Sequence, residues 1–596
     1  MRDIETQLKK VIHDLYGLNY EPDLTPSPDN IDADYSTNAP LKLAKELHEN
    51  PMAIAEKLAN SAFEEHIWRR AKYGATEPRN DGSEGAFRKS TIASISAPGF
   101  LNFTLSDDYL SDSIESFDVG ISSGQYKDQT IICEFSDPNP FKVLHVGHLY
   151  TSVVGDSIAR LFEYAGARVI RANFGGDVGL HVAKTLYVLR RQSPAEPTIE
   201  DIARCYVEGT ALYDDDEHAH QEITKLNKEI YQINSEDLHD SDLAKLYWHG
   251  RELSYQYFDQ FYNSIGVKFD KYYPESTVAD LGLTTVKEQL QKGVYEYSDG
   301  AVIFNGDKYG LHTRVFINKE GVPTYETKDV GLIFIKWQDY HFDKSVVITG
   351  SEQLDYMKVV LTSVEQYAPE LVEKTTHLTH GLVKLPGGVK MSSRKGNFLK
   401  AVDVLDMVRA ALKKEHNSED ETVSLAATKY AFLKYKMGGN IIFDPEESVK
   451  MTGNSGPYLL YSCVRAKKIL EKSSSEFENK NRVSIRDNGS ERRSEPRDDG
   501  REQGGERELV SNSPERDLMK KLLEYTVVLN ESVSELAPHK VANYLHELAQ
   551  AFSRFYENCE VIGSDHEEER LKLVQVYLVV MTHGLNILGI DIPEEM

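Results

Sequence analysis

The sequence predicts a multidomain α/β protein in three parts: an N-terminal α+β module, a central parallel sheet with crossover helices, and a C-terminal all-α helical bundle. Two observations support this organisation. The chain has 596 residues, which is enough for roughly three or four domains. Its pattern also changes twice, from mixed helices and strands to alternating strands and helices, and then to helices alone. The predicted boundaries are 1–115, 116–445 and 446–596.

Composition limits the class of protein. Apolar residues make up 40% and aromatic residues 10% of the chain, as in folded water-soluble proteins, and no apolar run approaches the roughly 20 residues that span a bilayer. The start of the chain has no apolar signal core. We therefore expect a cytoplasmic protein with no membrane partner. The net charge of −27 argues against indiscriminate binding of nucleic acid but permits a localised basic face.

Cysteine usage indicates neither a disulfide framework nor a zinc site. The four cysteines are far apart and form no C-x-x-C pair, so buried apolar side chains are the simplest interpretation. The cysteines are Cys133, Cys205, Cys463 and Cys559.

The first 115 residues combine helical patterns with short strands. Apolar residues from Ile4 to Leu15 recur at helical spacing, and residues 41–58 repeat the pattern. Residues 94–105 contain a turn followed by an alternating strand. Nothing here resembles catalytic chemistry, so the segment is predicted to be a structural or binding module.

The central part begins with a clear strand–loop–helix unit. An apolar strand, Thr130–Phe135, is followed by a proline-rich loop and by a helix from about Val146 that Gly166 can end. The next strand is predicted over 167–174, with a glycine turn at 175–179.

Residues of about 195–300 are mostly helical and are predicted to be an insertion. Core strands are predicted to return at 314–317, 345–350 and 380–383. In the last part, residues of about 473–514 hold few large apolar side chains and are predicted to be a disordered insertion between helices.

The central strand–loop–helix unit carries the first candidate site. His145, Gly147 and His148 fall at the start of the predicted helix. Helix N-termini present unpaired N–H groups and partial positive charge, so a phosphate chain can bind there. Taken alone the histidine pair is weak evidence, and no third ligand pattern favours a metal.

A second stretch, 388–397, lies some 240 residues later and concentrates basic and hydroxyl side chains with glycines. Such a loop can donate hydrogen bonds to a triphosphate and neutralise departing pyrophosphate. Its basic residues are Lys390, Arg394 and Lys395, and its hydroxyls belong to Ser392 and Ser393.

Together the two stretches resemble the HIGH and KMSKS signatures of class I aminoacyl-tRNA synthetases, written here as His145–His148 and Lys390–Arg394. The pattern is similar to that of the arginyl-tRNA synthetases over essentially the whole chain, including the helical C-terminal segments. The matching segments are Glu134–His148, Pro323–Asp329, Gly350–Gln353, Met391–Gly396, Gly456–Tyr461, Ala537–Leu545 and Leu588–Met596.

This resemblance implies a Rossmann-like class I catalytic domain that activates arginine with ATP and transfers it to tRNA(Arg). A guanidinium is planar, always charged and rich in donors, so its pocket needs acceptors held in fixed directions. The implied arginine-binding residues are Glu134, Asp137, Pro138, Asn139, His148, Tyr325, Asp329 and Gln353.

The resemblance also implies an ATP site and a catalytic set. The ATP-binding residues are His145, Gly147, His148, Val383, Lys390, Met391, Ser392 and Lys395. Catalysis is expected to use His145, His148, Lys390 and Lys142. Because Ser393 replaces the second lysine of the KMSKS signature, either Lys142 or Lys395 is expected to supply that charge.

The expected ligands are L-arginine, ATP with Mg²⁺ as a substrate, and tRNA(Arg), with no tightly bound cofactor and no resident metal. The chain is expected to act as a monomer. The first 115 residues are expected to bind the outer corner of tRNA, and the C-terminal helices its anticodon. Candidate tRNA contacts are Tyr458, Tyr461 and Arg465, since tyrosines can stack on splayed bases.

Some positions depart from the family pattern, and other interpretations stay open. Tyr150, the 176–181 segment and Tyr356 differ from the residues that are usual there. The alternatives are a cysteinyl or glutamyl class I synthetase, a plain nucleotidyltransferase, and a non-catalytic RNA-binding paralogue. A cysteinyl enzyme needs zinc ligands and a glutamyl enzyme needs basic residues around its amino acid, whereas the candidate set here is acidic.

Overall fold

The computed structural model describes residues 2–28, 31, 33–62, 91–119, 124–192, 197–387, 399–487 and 513–596. The chain divides into two compact units. The first comprises Met1–Gly120, Ser462–Val528 and His546–Met581, and the second comprises Ile121–Tyr461, Leu529–Leu545 and Thr582–Met596. Each unit combines segments that are distant in sequence, and the three-domain boundaries given above remain a prediction.

The N-terminal module is a small α+β structure, as predicted. Four antiparallel strands pair in the order β1-β2-β4-β3, and the predicted apolar stripe of the first helix is buried from Ile4 to Ile12, whereas Leu15 is exposed. The elements in chain order are α1 (Arg2–Tyr16), β1 (Thr25–Pro26), β2 (Tyr35–Thr37), α2 (Ala39–Leu47), α3 (Pro51–Ala62), β3 (Thr91–Ser96), β4 (Phe100–Leu105) and α4 (Asp107–Glu115).

The second unit is built on a parallel sheet, as predicted. Its strands in chain order are β5 (Thr130–Glu134), β6 (Arg168–Gly175), β7 (Lys271–Pro274), β8 (Glu296–Ser298), β9 (Ala301–Phe304), β10 (Arg314–Ile317), β11 (Lys344–Gly350), β12 (Thr375–His380), β13 (Val383–Lys384) and β14 (Ile441–Ile442). The main sheet has the order β12-β11-β5-β6-β7, and all its pairs are parallel. Burial on both faces explains the continuous apolar runs in β5 and β11.

The remaining helices belong partly to the second unit and partly to the first. In chain order they are α5 (Val146–Tyr164), α6 (Leu180–Gln192), α7 (Ile199–Asp215), α8 (Glu217–Ser235), α9 (Asp242–Ser264), α10 (Glu275–Gln291), α11 (Tyr325–Tyr340), α12 (Leu354–Glu365), α13 (Pro369–Glu373), α14 (Ala401–His416), α15 (Glu421–Leu433), α16 (Pro445–Ser448), α17 (Gly456–Asp487), α18 (Pro514–Leu523), α19 (Tyr525–Glu535), α20 (Pro538–Asn558) and α21 (Glu567–Ile587). Short 3₁₀ turns occupy Gly306–Tyr309 and Ser351–Gln353. None of the helices in the described residues is both long and apolar enough to cross a bilayer.

Three sequence expectations need correction. The helical insertion predicted over about 195–300 is too long, because β7 joins the edge of the main sheet. Strand β10 belongs to a separate antiparallel sheet with β8 and β9. The disordered insertion predicted over about 473–514 begins too early, because α17 continues to Asp487, whereas its predicted end coincides with the start of α18 at Pro514. The rest of that segment lies outside the described residues.

Two glycines bring α10 and α11 into backbone contact. A Cβ atom added to Gly282 would overlap the carbonyl oxygen of Thr327, and one added to Gly331 would overlap that of Val278. Glycine is the residue that permits such a close helix crossing. The crossing fixes where α11 lies over the sheet.

Candidate active site

A cavity of about 710 Å³ opens at the carboxyl ends of β5 and β11. From β5 the chain proceeds to β6 on one side, while β11 pairs on the other side. This reversal of strand order is the switch point at which open parallel sheets bind their ligands. Glu134 at the end of β5 and Gly350 at the end of β11 both line the cavity.

Most of the predicted site residues that the structure describes line this one cavity. They are Glu134, Asp137, Asn139, His145, Gly147, His148, Tyr325, Asp329, Gln353 and Val383. Pro138 is not among the lining residues, but its carbonyl oxygen lies against Gly175 at the end of β6. Lys142 lines a neighbouring cavity of about 110 Å³ with Asn139, His145, His148 and Tyr206.

The second predicted motif cannot be placed in the same way. Lys390, Met391, Ser392, Arg394 and Lys395 lie outside the described residues. The chain on both sides of that stretch is described, and it is held close to the start of α5.

Backbone hydrogen bonds join the first motif to the residues that follow the second motif. The N–H of Val146 donates to the carbonyl oxygen of Leu399 at 2.9 Å, and the N–H of Ala401 donates to that of Leu144 at 3.0 Å. On the other side, Thr151 of α5 lies 2.6 Å from His380 at the end of β12, between Oγ1 and Nε2. The described residues on both sides of the second motif are therefore bound to α5 or to the residues just before it, at His380 and at Leu399 and Ala401.

The loop between β5 and α5 has an unusual backbone. Ser136, Asp137 and Phe141 have φ values of 74°, 50° and 64°, in the left-handed region that non-glycine residues seldom occupy. Such conformations persist only where surrounding contacts impose them, and they concentrate at functional sites.

Side-chain contacts hold this loop against β6. Asp137 accepts a hydrogen bond from the N–H of Phe174 at 2.8 Å, and Asn139 accepts one from the N–H of Gly176 at 2.8 Å. The hydroxyl of Ser136 lies 2.8 Å from that of Tyr262. The loop is thus fixed at several points, and its side chains are pre-positioned in the cavity wall.

Helix α5 begins with the two histidines, as predicted. His145 is the N-cap residue: its Nδ1 accepts a hydrogen bond from the N–H of Gly147 at 3.0 Å. The N–H of His145 donates to Nδ1 of His148 at 3.1 Å, and the two rings stack with centroids 3.8 Å apart. Because both Nδ1 atoms accept hydrogen bonds, each neutral ring carries its proton on Nε2.

The environment keeps both histidines uncharged at neutral pH. Burial lowers the pKa of His145 to about 4, and the ammonium of Lys142 acts in the same direction. Burial, followed by the neighbouring His145, lowers the pKa of His148 well below 6.5. The start of α5 therefore offers neutral hydrogen-bond donors together with the helix N-terminus.

Three ion pairs line the acidic side of the cavity. The carboxylate of Glu134 lies 2.6 Å from Nζ of Lys336, and that of Glu275 lies 2.5 Å from Nζ of Lys328. Glu326 accepts a hydrogen bond from Arg314 at 3.1 Å. The sequence did not predict these partners, and they neutralise three of the carboxylates beside the cavity.

Three further carboxyl groups line the cavity without an ion pair among the described residues, and one of them, that of Glu352, is exposed. Within the described residues, Asp329 and Asp137 form no ion pair: Asp329 accepts a hydrogen bond from the hydroxyl of Tyr356, and Asp137 accepts one from a backbone N–H. Burial raises the pKa of Asp329 from 3.8 to about 8, and Glu134 adds to this effect. Burial and Glu134 also raise the pKa of Asp137 well above 3.8. The cavity is therefore suited to a ligand that carries positive charge.

The predicted tRNA contacts lie on α17. Tyr458 is half-buried, whereas Tyr461 is exposed, so Tyr461 is not a core residue. The guanidinium carbon of Arg465 lies 4.6 Å from the ring centroid of Tyr556.

Among the described residues, no group of three His, Cys, Asp or Glu side chains is placed to hold a metal ion. Cys133, Cys205 and Cys463 are buried, and all four cysteines are free thiols.

Sequence reasoning missed Lys336, Lys328, Arg314, Thr151 and His380. For Lys336, Lys328, Thr151 and His380 the signal is weak because the partner lies 53 to 229 positions away. Arg314 lies only 12 positions from Glu326, but no motif marks that pair. His380 had a partial signal, because it began a predicted core strand.

Family models match three parts of the chain. A model described as "tRNA synthetases class I (R), catalytic domain" matches residues 116–444. A "DALR anticodon binding domain" matches residues 459–596, and an "Arginyl tRNA synthetase N terminal domain" matches residues 2–72.

Arginine–tRNA ligases of bacteria align with most of this chain. The chain is 28% identical over 485 residues to the arginine–tRNA ligase of Treponema denticola, covering 78% of this chain and 79% of that protein. It is 26% identical over 587 residues to the arginine–tRNA ligase of Fusobacterium nucleatum, covering 94% and 93%.

Solved structures share the fold. The Thermus thermophilus arginyl-tRNA synthetase superposes with a TM-score of 0.74 at 22% identity, covering 100% of both chains. The Plasmodium falciparum arginyl-tRNA synthetase gives a TM-score of 0.73 at 20% identity, covering 100% of this chain and 99% of that one.

Proposed function

The chain belongs to the class I (R) tRNA synthetase family, and on that premise we propose how its cavity performs the reaction of an arginine–tRNA ligase. ATP and arginine react to form arginyl-adenylate and pyrophosphate, and the arginyl group is then transferred to tRNA(Arg). One observation carries the proposal for the site. A single cavity at the switch point of the sheet combines the helix start and its two neutral histidines with two carboxyl groups, those of Asp329 and Asp137, that form no ion pair within the described residues.

Arginine fits this charge distribution. Its guanidinium and its α-ammonium are two cationic groups, and Asp329 and Asp137 are two acidic groups within one cavity. We assign Asp329 to the guanidinium, with Tyr325 one helical turn before it and Gln353 beside it as further contacts. Asp137 and Asn139 would face the main-chain end of arginine. Glu134 offers carboxylate oxygens while Lys336 balances its charge.

ATP would bind with its phosphates at the start of α5. The Nε2–H groups of His145 and His148 are neutral donors, and the N-terminal turn at Gly147 adds partial positive charge. Val383 lines the same cavity and would contact the adenine. Mg²⁺ would arrive with ATP as part of the substrate.

The second motif is proposed to stabilise the negative charge of the departing pyrophosphate, and this role rests on the family signature alone. Its residues are Lys390, Met391, Ser392 and Lys395. Lys142 is the alternative source of positive charge. Its Nζ lies 4.8 Å from the ring centroid of Tyr206, beside the two histidines.

Activation is an in-line displacement. A carboxylate oxygen of arginine attacks the α-phosphorus, the bond from that phosphorus to the bridging oxygen breaks, and pyrophosphate leaves with the electron pair. The protein positions the reactants and donates hydrogen bonds to phosphate oxygens that gain charge. In the second step a terminal ribose hydroxyl of tRNA attacks the carbonyl carbon of the adenylate, and AMP leaves.

For tRNA binding we propose Tyr458, Tyr461 and Arg465 as contacts on the C-terminal side. The exposed ring of Tyr461 is the kind of surface on which a base can stack. The N-terminal module would bind the outer corner of tRNA. We also propose that the chain acts as a cytoplasmic monomer.

The acidic cavity argues against the alternatives. A glutamyl synthetase must hold a carboxylate side chain, which the unmatched carboxyl groups of Asp329 and Asp137 would repel. A non-catalytic RNA-binding paralogue has no need of a left-handed loop that holds such groups in a cavity.

Arginine-dependent exchange of pyrophosphate into ATP tests the proposal, measured with and without tRNA. We expect exchange that requires arginine and, as is usual in this family, tRNA. Lack of exchange under both conditions would refute the proposed chemistry, and exchange with glutamate or cysteine would refute the amino-acid assignment. The Asp329→Ala variant should lose arginine-dependent exchange while its far-ultraviolet circular dichroism is unchanged.

A further inference from the structure

The hydroxyl of Tyr356 holds the carboxyl group that is assigned to the guanidinium. We propose that Tyr356 is a positioning residue for arginine: it occupies one oxygen of Asp329, directs the other oxygen to the guanidinium, and is itself held by Arg314. This inference rests on the proposed function. The inference goes beyond the proposed function because Arg314 lies in none of the signatures that identify the family, and Tyr356 differs from the residue that is usual at its position.

The contact joins two helices. Tyr356 lies in the first turn of α12, and its hydroxyl donates to Oδ2 of Asp329 on α11. Within the described residues Oδ1 of Asp329 has no hydrogen-bond donor, and both side chains line the cavity. One oxygen is therefore held by the protein, and the other is available to a ligand. A carboxylate fixed in this way presents a defined direction to a planar fork of donors.

Arg314 secures the ring of Tyr356 from β10. Its guanidinium carbon lies 5.1 Å from the ring centroid, within the range of a cation–π contact. Nη1 of Arg314 donates to Glu326 at 3.1 Å, while its Nε is buried without a hydrogen-bond partner among the described residues. Three elements thus converge, since Glu326 lies in the first turn of α11, close to Asp329.

The charges around Asp329 explain why a neutral donor is needed there. Its own helix presents Glu326 and Lys328, and neighbouring elements present Glu134 and Asp137 from the β5 end, Glu275 from α10, Lys336 from the far end of α11, and Arg314 from β10. The three cations are already paired with Glu326, Glu275 and Glu134. A further resident cation at Asp329 would compete with the guanidinium of arginine, whereas a hydroxyl does not.

The same hydroxyl affects the ionisation of Asp329. Burial and the surrounding carboxylates raise the pKa of Asp329, and the hydrogen bond from Tyr356 acts against them. Without the hydroxyl the carboxyl group would hold its proton to a still higher pH. A guanidinium is always protonated and is bound by the ionised carboxylate.

The test is Tyr356→Phe, which removes the hydroxyl and keeps the ring over which Arg314 lies. Activation is measured by pyrophosphate exchange with tRNA present, at pH values from 6.5 to 9.5. A hydrogen bond to a charged group contributes about 1.5–3 kcal/mol, so KM for arginine should rise about tenfold to hundredfold at pH 7.5. The fall in kcat should be smaller than the rise in KM. The pH at which KM for arginine levels off should also move upward.

A matched control is Tyr295→Phe. This buried tyrosine also loses hydroxyl hydrogen bonds, to Ser363 and Tyr367 at 3.1 Å, but it does not line the cavity. It should leave KM for arginine and its pH dependence unchanged. Thermal melting of both variants provides a check on folding.

Failure of this inference is distinguishable from failure of the proposed function. If Tyr356→Phe matches the wild type in KM and pH profile while Asp329→Ala loses exchange, the positioning role is refuted and the arginine site stands. Equal changes in KM for Tyr356→Phe and Tyr295→Phe would also refute it. If Asp329→Ala keeps its affinity for arginine, the assignment of Asp329 to the guanidinium and the positioning role of Tyr356 are both refuted.

Discussion

Glu134 and Lys336 form a buried ion pair in the wall of the cavity, with 2.6 Å between Oε2 and Nζ and side chains that are 4% and 2% exposed. Lys336 also donates to the hydroxyl of Ser345 at 3.1 Å. Sequence reasoning assigned Glu134 to arginine alone. The structure shows that its charge is balanced from within the protein.

The first prediction follows from this pair. Lys336→Met leaves the carboxylate of Glu134 buried and unpaired, which typically costs about 3–5 kcal/mol of stability. Urea unfolding followed by tryptophan fluorescence should show a clear fall in the unfolding midpoint. Lys358→Met removes an exposed pair with Asp355 and should change stability by less than about 1 kcal/mol. Equal midpoints for the two variants would contradict the role of the buried pair.

The second prediction concerns pH. Because the pKa of Asp329 is about 8, KM for arginine should fall as pH rises towards and through 8, and Asp329→Asn should abolish this dependence together with most of the activation. Folding raises this pKa, so the folded chain keeps a proton that the unfolded chain loses above pH 4, and stability falls as pH rises to 8. Asp329→Asn should therefore have a higher melting temperature than the wild type at pH 8. A lower one would contradict the sign of the shift.

The third prediction concerns the histidine that begins α5. His145→Asn preserves an N-cap side chain but removes a proposed phosphate donor, so the fold should be retained while kcat falls about 10²-fold. The lowered pKa of His145, about 4, means that the unfolded chain takes up a proton more readily below pH 6.5. Stability should thus fall as pH drops from 6.5 towards 4, and less steeply in the variant. Melting curves at pH 5 and 7 measure this difference.

The fourth prediction concerns the helix crossing. Gly331→Ala adds a methyl group where a Cβ atom would overlap the carbonyl oxygen of Val278, and such overpacking costs about 1–3 kcal/mol. Because α11 carries Asp329, KM for arginine should rise as well. Gly439→Ala is the control, since a methyl group there meets no atom within 4 Å. An unchanged KM in Gly331→Ala would show that α11 can shift without consequence for the site.

The sequence predicted the parts of the fold that are local. The strand ending near Phe135, the helix starting at Val146 and the strand ending near Phe174 were recognisable from apolar periodicity and glycine stops, and the structure confirms them. The parallel sheet followed from alternation of strands and helices. The alternation did not predict that β10 lies in a separate antiparallel sheet, because a four-residue strand is compatible with either sheet.

Residues that line the cavity were predictable from the sequence where they belong to a motif with recognisable spacing. Asp329 and His148 line the cavity, and each was a candidate because it belongs to a short signature; their roles stay predictions. Lys336, which lies 202 positions after Glu134, was not found because nothing near either residue identifies the other. The continuation of α17 to Asp487 was missed for a related reason, since low apolar content disfavours burial but does not prevent a helix.

The hydrogen bonds that join Leu144 and Val146 to Ala401 and Leu399, and Thr151 to His380, have a consequence for recombination. In a chimaera that takes residues 124–192 from a relative and leaves residues 375–401 behind, each of these contacts would be formed between parts of different origin. Because the nearest of these contacting residues, Thr151 and His380, lie 229 positions apart, the two segments would need to be inherited together. When catalytic segments are exchanged between relatives, residues 124–192 and 375–401 should therefore be exchanged together.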